Sequence, residues 1–312
     1  MLVTADRVFG GHLYVRNGKI AAISDDGTLP AREELDAAGL YVLPGMLDCH
    51  AHINDPGFTW REDLPHASEA AAVGGVTTLI DMPLQNTPPL TSADAFANKL
   101  AVFEGRSLVD YALWGGLVTD NAAELAGMEA AGAVGFKAFI APVSLGYSSV
   151  DMGLARGALF RIKAFGGLAG FHCEDHALIC AGEAKAKAGG GTRRAFLDSR
   201  PVVAEVIATA NVIELARETG ARVHICHVSH PRVAELVRRA QADGLSVTGE
   251  TCPHYLVFTE ENLLSCGTVF KCAPPLRTAE ARDGLWEYVL DGTLSCIGSD
   301  HSPSRPDEKD EA

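Results

Sequence analysis

The chain has 312 residues, of which 47% are apolar and 21% are charged, and its formal net charge is −14. This profile is typical of a globular protein with one large domain or two ordinary ones. The negative charge, which no basic cluster offsets, argues against a nucleic-acid partner, and no apolar run is long enough to span a bilayer. We find no signal peptide, and the eight cysteines form no C-x-x-C pair, so we expect a cytoplasmic protein with reduced thiols.

The first forty residues predict a small β structure. The stretch HLYVRNGKIAAIS contains the turn signal RNG, and DDG follows it. Such signals between short alternating runs are typical of an antiparallel ribbon. We therefore assign residues 1–43 to a satellite β domain.

A different sequence pattern begins at Tyr41. Short β-like runs alternate with helix-like segments rich in Ala, Glu, Leu and Arg, and Gly220 is expected to end the longest of these segments. Eight such runs over about 250 residues match the size of a (β/α)8 TIM barrel, which we assign to residues 44–312. The eight runs are VLPGMLDCHAH, VTTLIDMP, DYALWGGLV, AVGFKAFIA, LAGFHCED, ARVHICHVS, LSVTGETCP and LSCIGSDHSP.

Polar residues occur at the predicted strand ends. The carboxyl ends of barrel strands face the active site. In LDCHAHIND, His50 and His52 are two residues apart, so on a strand both point to the same side and can bind one ion together. The other residues of this kind, in or at the ends of later strands, are Lys137, His172, His227 and Asp300.

The combination of these residues predicts a metal site. A single buried histidine is usually part of a hydrogen-bonded core, but histidines at three strand ends followed by Ser-Asp-His at the eighth are not explained in that way. Imidazole with carboxylate, and no paired thiolate motif, favours zinc or another divalent transition metal. By strand alternation we expect His224, Cys173 and Cys226 to point away from the barrel interior, and we leave them out of the site.

The order of the motifs resembles that of the cyclic amidohydrolases in the amidohydrolase superfamily. This resemblance covers residues 16 to 303 and implies a (β/α)8 barrel with a small β-sandwich and two metal ions, usually zinc. It implies that His50 and His52 bind the more buried ion with Asp300, and that His172 and His227 bind the more exposed one. It also implies that Lys137 is N-carboxylated and bridges both ions. The motifs are PGMLDCHAHINDPG, GGVTTLIDMP, GFKAFIA, FHCED, HICHVS, ETCPHYL, KCAPPLR and GSDHSP.

The resemblance further implies hydrolysis of a cyclic amide. Two motifs are similar to those of family members that open the ring of allantoin to give allantoate. They are HIN followed by an acidic residue and Pro-Gly, and ETCPHYL with His254. Asn54 and Ala273 are the expected substrate contacts. Hydantoins or dihydropyrimidines are the alternative substrates, and a catalytically inactive scaffold is the alternative to an enzyme. Dihydroorotate ranks low, because Asn54 stands where an arginine for its carboxylate is usual.

Two further expectations concern the whole molecule. The chain ends shortly after Pro303, so we expect the barrel to lack the segment after its eighth strand, in a truncated product. Relatives in this family are commonly tetramers, and the resemblance therefore implies a homo-oligomer.

Overall fold

A computed structural model describes residues 1–143 and 147–309. The chain divides into two compact units, Met1–Met46 and Leu47–Ala312. Among the helices that the structure describes, none combines the length and apolar character needed to cross a membrane.

The first unit consists of short antiparallel strand pairs. Strand β1 (Leu2–Val3) pairs with β2 (Val8–Phe9), and β3 (His12–Arg16) pairs with β4 (Lys19–Ser24). Asn17 and Gly18 connect β3 to β4, and both have positive φ (53° and 72°). Two consecutive residues of this kind give the twist that an antiparallel hairpin needs. The predicted ribbon is therefore confirmed.

The second unit is a (β/α)8 barrel, as predicted. Strands β5 to β7 form one parallel sheet and β8 to β13 another, and Trp114 alone separates β7 from β8. The strands are β5 (Met46–Ala51), β6 (Val76–Asp81), β7 (Asp110–Leu113), β8 (Gly115–Gly116), β9 (Phe136–Phe139), β10 (Leu168–His172), β11 (Arg222–Ile225), β12 (Val247–Thr251) and β13 (Cys296–Ile297).

Hydrogen bonds between the first and last strand regions close the ring. The backbone N–H of Asp300 donates to the carbonyl of His50 (2.8 Å), and that of His52 donates to the carbonyl of His301 (2.7 Å). Gly298 makes this approach possible, because a Cβ there would lie 2.8 Å from the Cβ of His50. The closing seam therefore passes through the segments that carry the predicted ligands.

Helices follow most of the barrel strands and cover them. Many begin at side-chain caps, such as Ser92, Asp151 and Asp175, and α7 ends at Gly220 with φ of 64°, as predicted. The helices are α1 (Leu64–Val73), α2 (Ala93–Phe103), α3 (Leu125–Ala130), α4 (Met152–Ala164), α5 (His176–Ala188), α6 (Arg193–Ser199), α7 (Val202–Thr219), α8 (Pro231–Ala242), α9 (Pro253–Val257), α10 (Glu260–Cys266) and α11 (Ala279–Leu290).

The main core lies between strands and helices. Val223 and Ile225 of β11 are fully buried in the same apolar cluster as Val212 of α7 and Val237 of α8. Val223 and Ile225 therefore point outward to the helices, and the residues that alternate with them on the strand face the barrel interior. This packing fixes the strand ends on which the polar side chains stand.

Candidate active site

A cavity of about 780 Å³ contains all the residues predicted at the strand ends. Aromatic and aliphatic residues, including Phe139 and Leu276, form part of its lining. The predicted residues among its lining are His50, His52, Lys137, His172, His227 and Asp300.

Three of these side chains converge on one point. Nε2 of His50 and Nε2 of His52 each lie 3.2 Å from Oδ1 of Asp300. Nε2 of His50 nevertheless has no hydrogen-bond geometry with any described residue, although it is buried. A buried nitrogen without a hydrogen bond, facing a carboxylate and a second imidazole, fits a divalent cation.

A second pair of histidines lies beside the first. Nδ1 of His172 is 3.1 Å from Nε2 of His227, and the His50 and His227 rings are 5.4 Å apart. The backbone of His227 has φ of 39°, in the left-handed region that few residues other than glycine adopt, and its side chain lines the cavity. The two facing nitrogens can hold one further cation.

Lys137 is the unusual member of the group. Its side chain is fully buried, and Nζ forms no hydrogen bond within residues 1–143 and 147–309. The other fully buried lysine, Lys99, is paired with Asp81 and donates to the carbonyl of Ile53 (2.9 Å). A buried ammonium without partners is costly, so Lys137 fits an amine that has been modified or that faces a bound anion.

Three of the four histidines are kept neutral by their surroundings. Burial lowers the pKa of His52 to about 4. Burial, and next the charge of Lys137, hold the pKa values of His172 and His227 well below the usual range. Neutral imidazole is the form that binds a cation, so the environment favours ligation.

His50 and Asp300 differ from these three histidines, because their surroundings favour the charged form of each side chain. Burial opposes a charge on His50, but Glu250 and Asp300 outweigh it and raise the pKa of His50 well above its usual value. Burial opposes the charge on Asp300 as well, yet His50 and His52 hold the pKa of Asp300 well below its ordinary range. Asp300 is therefore an ionised carboxylate at neutral pH.

Two buried glutamates orient the histidines, and the sequence analysis did not identify either of them. Glu250 on β12 hydrogen-bonds Nδ1 of His50 and accepts from the backbone N–H of His227 (3.3 Å). Glu174 hydrogen-bonds Nε2 of His172 (2.7 Å). Each carboxylate holds the ring nitrogen opposite to the one that faces the cavity. The only available signal was position, since both lie within the motifs FHCED and ETCPHYL.

The predicted outward direction of His224 and Cys226 is wrong. Nδ1 of His224 lies 2.8 Å from Oγ1 of Thr248, and Nε2 lies 3.5 Å from Oε2 of Glu250, which belongs to the site. The thiol of Cys226 can share a cation with His50 and Glu250. The reason is the left-handed backbone at His227, because strand alternation fails there and neighbouring residues face the same side. Cys173 behaves as predicted and lies in the apolar core.

The two predicted substrate contacts differ in position. Ala273 lines the cavity, and so do His254 and Gln85. Asn54 is fully buried and is not among the lining residues. The preceding residue, Ile53, is held by a hydrogen bond from its N–H to Asp81 (2.6 Å). The direct contact between Asn54 and the substrate therefore stays a prediction.

A parallel barrel with histidines, a buried lysine and an aspartate at its strand ends defines a barrel hydrolase of the metal-dependent class. The dihydro-orotase-like family model matches residues 39–232. The chain belongs to this family, whose members are metal-dependent cyclic amidohydrolases.

Named relatives match nearly the whole chain. An allantoinase from Streptomyces avermitilis is 40% identical over 311 residues, covering 99% of this chain and 69% of the relative. An allantoinase from Solibacter usitatus is 41% identical, covering 98% of this chain and 67% of the relative. The allantoinase of Escherichia coli K12 is 40% identical, covering 95% and 67%.

Solved structures agree on the fold. An L-hydantoinase (dihydropyrimidinase) from Arthrobacter aurescens superposes with a TM-score of 0.94 at 37% identity, covering 99% of this chain and 69% of that one. A D-hydantoinase (dihydropyrimidinase) from Thermus sp. gives a TM-score of 0.88 at 26% identity, covering 99% and 69%.

Proposed function

We propose that this protein hydrolyses the ring amide of allantoin to give allantoate. The observation that carries this proposal is the identity of about 40% to proteins named allantoinase along nearly the entire chain. The cavity supports it, because imidazole and carboxylate donors for cations meet there beside space for a small ligand.

The site residues are proposed to bind two zinc ions. His50, His52 and Asp300 would hold one ion, and His172 and His227 would hold the other. Lys137, N-carboxylated by carbon dioxide, would bridge them. When bound, such a pair of cations polarises the scissile carbonyl and makes water acidic enough to attack it at neutral pH. The lack of a hydrogen-bond partner for the Lys137 amine among the described residues supports this role.

Asp300 is the proposed general base and acid. Its low pKa keeps it ionised, and it is the carboxylate of the described residues that faces both His50 and His52 in the cavity. It would accept a proton from the attacking water as the C–O bond forms. It would then give that proton to the ring nitrogen as the C–N bond breaks, which completes the hydrolysis without a further proton donor.

Recognition of a neutral ureide is proposed for polar groups on the cavity wall. Nε2 of His254 is buried, lines the cavity and has no hydrogen-bond partner in the described part of the chain. Ala273 also lines the cavity, and so does Gln85, whose side-chain oxygen accepts from the Ser302 hydroxyl (3.0 Å). Donors and acceptors without full charge suit a ring that carries a ureido arm.

Glu174 is expected to strengthen the proposed metal centre by orienting His172. The Glu174→Gln variant should bind zinc about 10- to 100-fold more weakly, because the carboxylate that orients His172 is lost. Chelator competition on the purified protein measures this affinity. Glu183→Gln is the matched control, since Glu183 pairs with the same Arg200 but does not contact His172. Equal affinity in the two variants would contradict the assignment.

Hydantoins and dihydropyrimidines are the second candidate substrates. The observation that favours them over other rings is the TM-score of 0.94 to a protein named L-hydantoinase (dihydropyrimidinase). Their rings lack the ureido arm of allantoin, so the polar groups of the cavity wall distinguish the two candidates.

A substrate panel tests the proposed function. The purified chain, supplied with zinc and bicarbonate, is assayed with allantoin, hydantoin, dihydrouracil and dihydroorotate. We expect turnover of allantoin above all others. Turnover of hydantoin or dihydrouracil instead supports the second candidate. A folded chain that binds no metal and acts on none of the four supports the scaffold alternative.

The remaining proposals concern the molecule as a whole. We propose that residues 1–43 begin a small β-sandwich and that the protein is a cytoplasmic homotetramer, as the family resemblance implies. Light scattering of the purified protein tests the tetramer, since a monomeric mass would contradict it.

A further inference from the structure

Two thiols meet beside the site but outside its cavity. Cys49 precedes His50 on β5, and Cys296 lies on β13, at the other side of the barrel closure. Their sulfur atoms are 3.5 Å apart, and both side chains are half-buried. Neither residue lines the cavity, so neither belongs to the catalytic set.

A carboxylate completes this cluster. Cys296 and Glu250 are register partners on adjacent parallel strands, so their side chains share one face. Oε2 of Glu250 lies 3.2 Å from the sulfur of Cys49. It also lies 3.5 Å from Nε2 of His224. The two carboxylate oxygens of Glu250 thus have different neighbours. Oε1 hydrogen-bonds His50, and Oε2 faces the thiols.

The spacing of these donors matches a tetrahedral soft-metal site. At a zinc–sulfur bond of about 2.3 Å, two sulfurs of a tetrahedron lie about 3.8 Å apart, and sulfur and oxygen lie slightly closer. The observed separations of 3.5 and 3.2 Å need only small movements to reach these values. Apolar packing of two small thiols would not place a carboxylate oxygen against them. The partial exposure of both cysteines leaves a path from solvent.

We propose that Cys49, Cys296 and Glu250 form a binding site for a thiophilic divalent cation such as Zn²⁺ or Cd²⁺. This site is separate from the proposed catalytic pair of ions. His224 is the neighbouring fourth donor, since its Nε2 faces the same carboxylate oxygen. Binding displaces the two thiol protons into solvent and forms two metal–sulfur bonds and one metal–oxygen bond.

Occupancy of this site has a consequence for catalysis, which rests on the proposed function. A cation on Oε2 withdraws negative charge from Glu250 and weakens its hydrogen bond to His50 through Oε1. Excess zinc is therefore expected to inhibit allantoin turnover, and the inhibition should disappear when the thiols are removed. The binding itself does not depend on any enzymatic activity.

Absorption of cadmium–thiolate bonds tests the site directly. The proposed catalytic ligands are nitrogen and oxygen atoms, so a thiolate-to-metal charge-transfer band reports a bound thiolate. The Cys296 variant then assigns the band to this site and not to Cys226, whose thiol can share a cation with His50 and Glu250. We expect titration of the reduced full chain with Cd²⁺ to produce this band with one equivalent of bound thiolate-ligated metal. Cys296→Ser should lose the band, and Cys180→Ser, which changes an exposed thiol elsewhere, should keep it.

The outcomes separate this proposal from the proposed function. Wild-type protein without the band, or Cys296→Ser with the same band, overturns the site. Recovery of a Cys49–Cys296 disulfide from protein kept under reducing buffer also overturns it. If Cys296→Ser fails to fold, Cys296→Ala provides the same comparison, with circular dichroism as the check on folding. A band in a chain that does not hydrolyse allantoin leaves the site standing and removes only the proposed function.

Discussion

Replacement of Asp300 by asparagine is expected to lower kcat for allantoin by about 10²- to 10⁴-fold, the usual range for loss of a general acid–base group. The amide keeps the shape of the side chain but cannot accept the proton of the attacking water. It also weakens the cluster in which Oδ1 lies 3.2 Å from both His50 and His52. Steady-state kinetics, with metal content measured on the same samples, check this result.

Separate values of kcat and KM decide whether Asp300 acts in the chemical step. An effect confined to KM would contradict the general acid–base role, because proton transfer belongs to the chemical step. Asp120→Asn is the matched control, since Asp120 is exposed on a loop and the same change of charge there should leave kcat unchanged.

Loss of Lys137 is expected to have the second large effect. Lys137→Ala should reduce bound metal and lower kcat/KM by at least about 100-fold, because the proposed bridging ligand is removed and even outer-shell partners are worth about 10- to 100-fold. A short carboxylate such as acetate or propionate should restore part of the activity of Lys137→Ala, since it supplies the missing anion in the space that the side chain vacates. Metal analysis and rescue titrations measure both effects.

A methionine at the same position is the control for rescue. Lys137→Met fills the space and offers no carboxylate, so added acids should not restore activity. Rescue of both variants to the same extent would contradict a bridging carboxylate at this position. Full metal content and activity in Lys137→Met would exclude a role for the lysine in the centre.

The sequence was sufficient to predict the barrel and the grouping of the polar strand-end residues around one cavity. Eight β-like runs separated by helix-like segments specify a parallel barrel, and each run corresponds to a strand region of the structure. Polar residues at strand ends then predict one location, because parallel strands end at one face. The structure brings His50, Lys137 and His227 to one cavity for this reason.

The supporting residues could not be predicted from the same patterns. Glu174 and Glu250 are buried charges whose role depends on which histidine nitrogen they face, and this is a property of three-dimensional packing. The misplacement of Cys226 and His224 has a related cause. Alternation assumes regular strand dihedrals, and the φ of 39° at His227 breaks that assumption.

The closing seam of the barrel gives the proposed metal centre a second role, in the stability of the fold. The backbone of His50 accepts from Asp300 and that of His52 donates to His301, so the residues that hold the proposed buried ion also join the first strand to the last. Any ligand that bridges these side chains acts as a staple across the ring closure. Because such a ligand binds the closed barrel and not the opened one, its binding raises the free energy of unfolding.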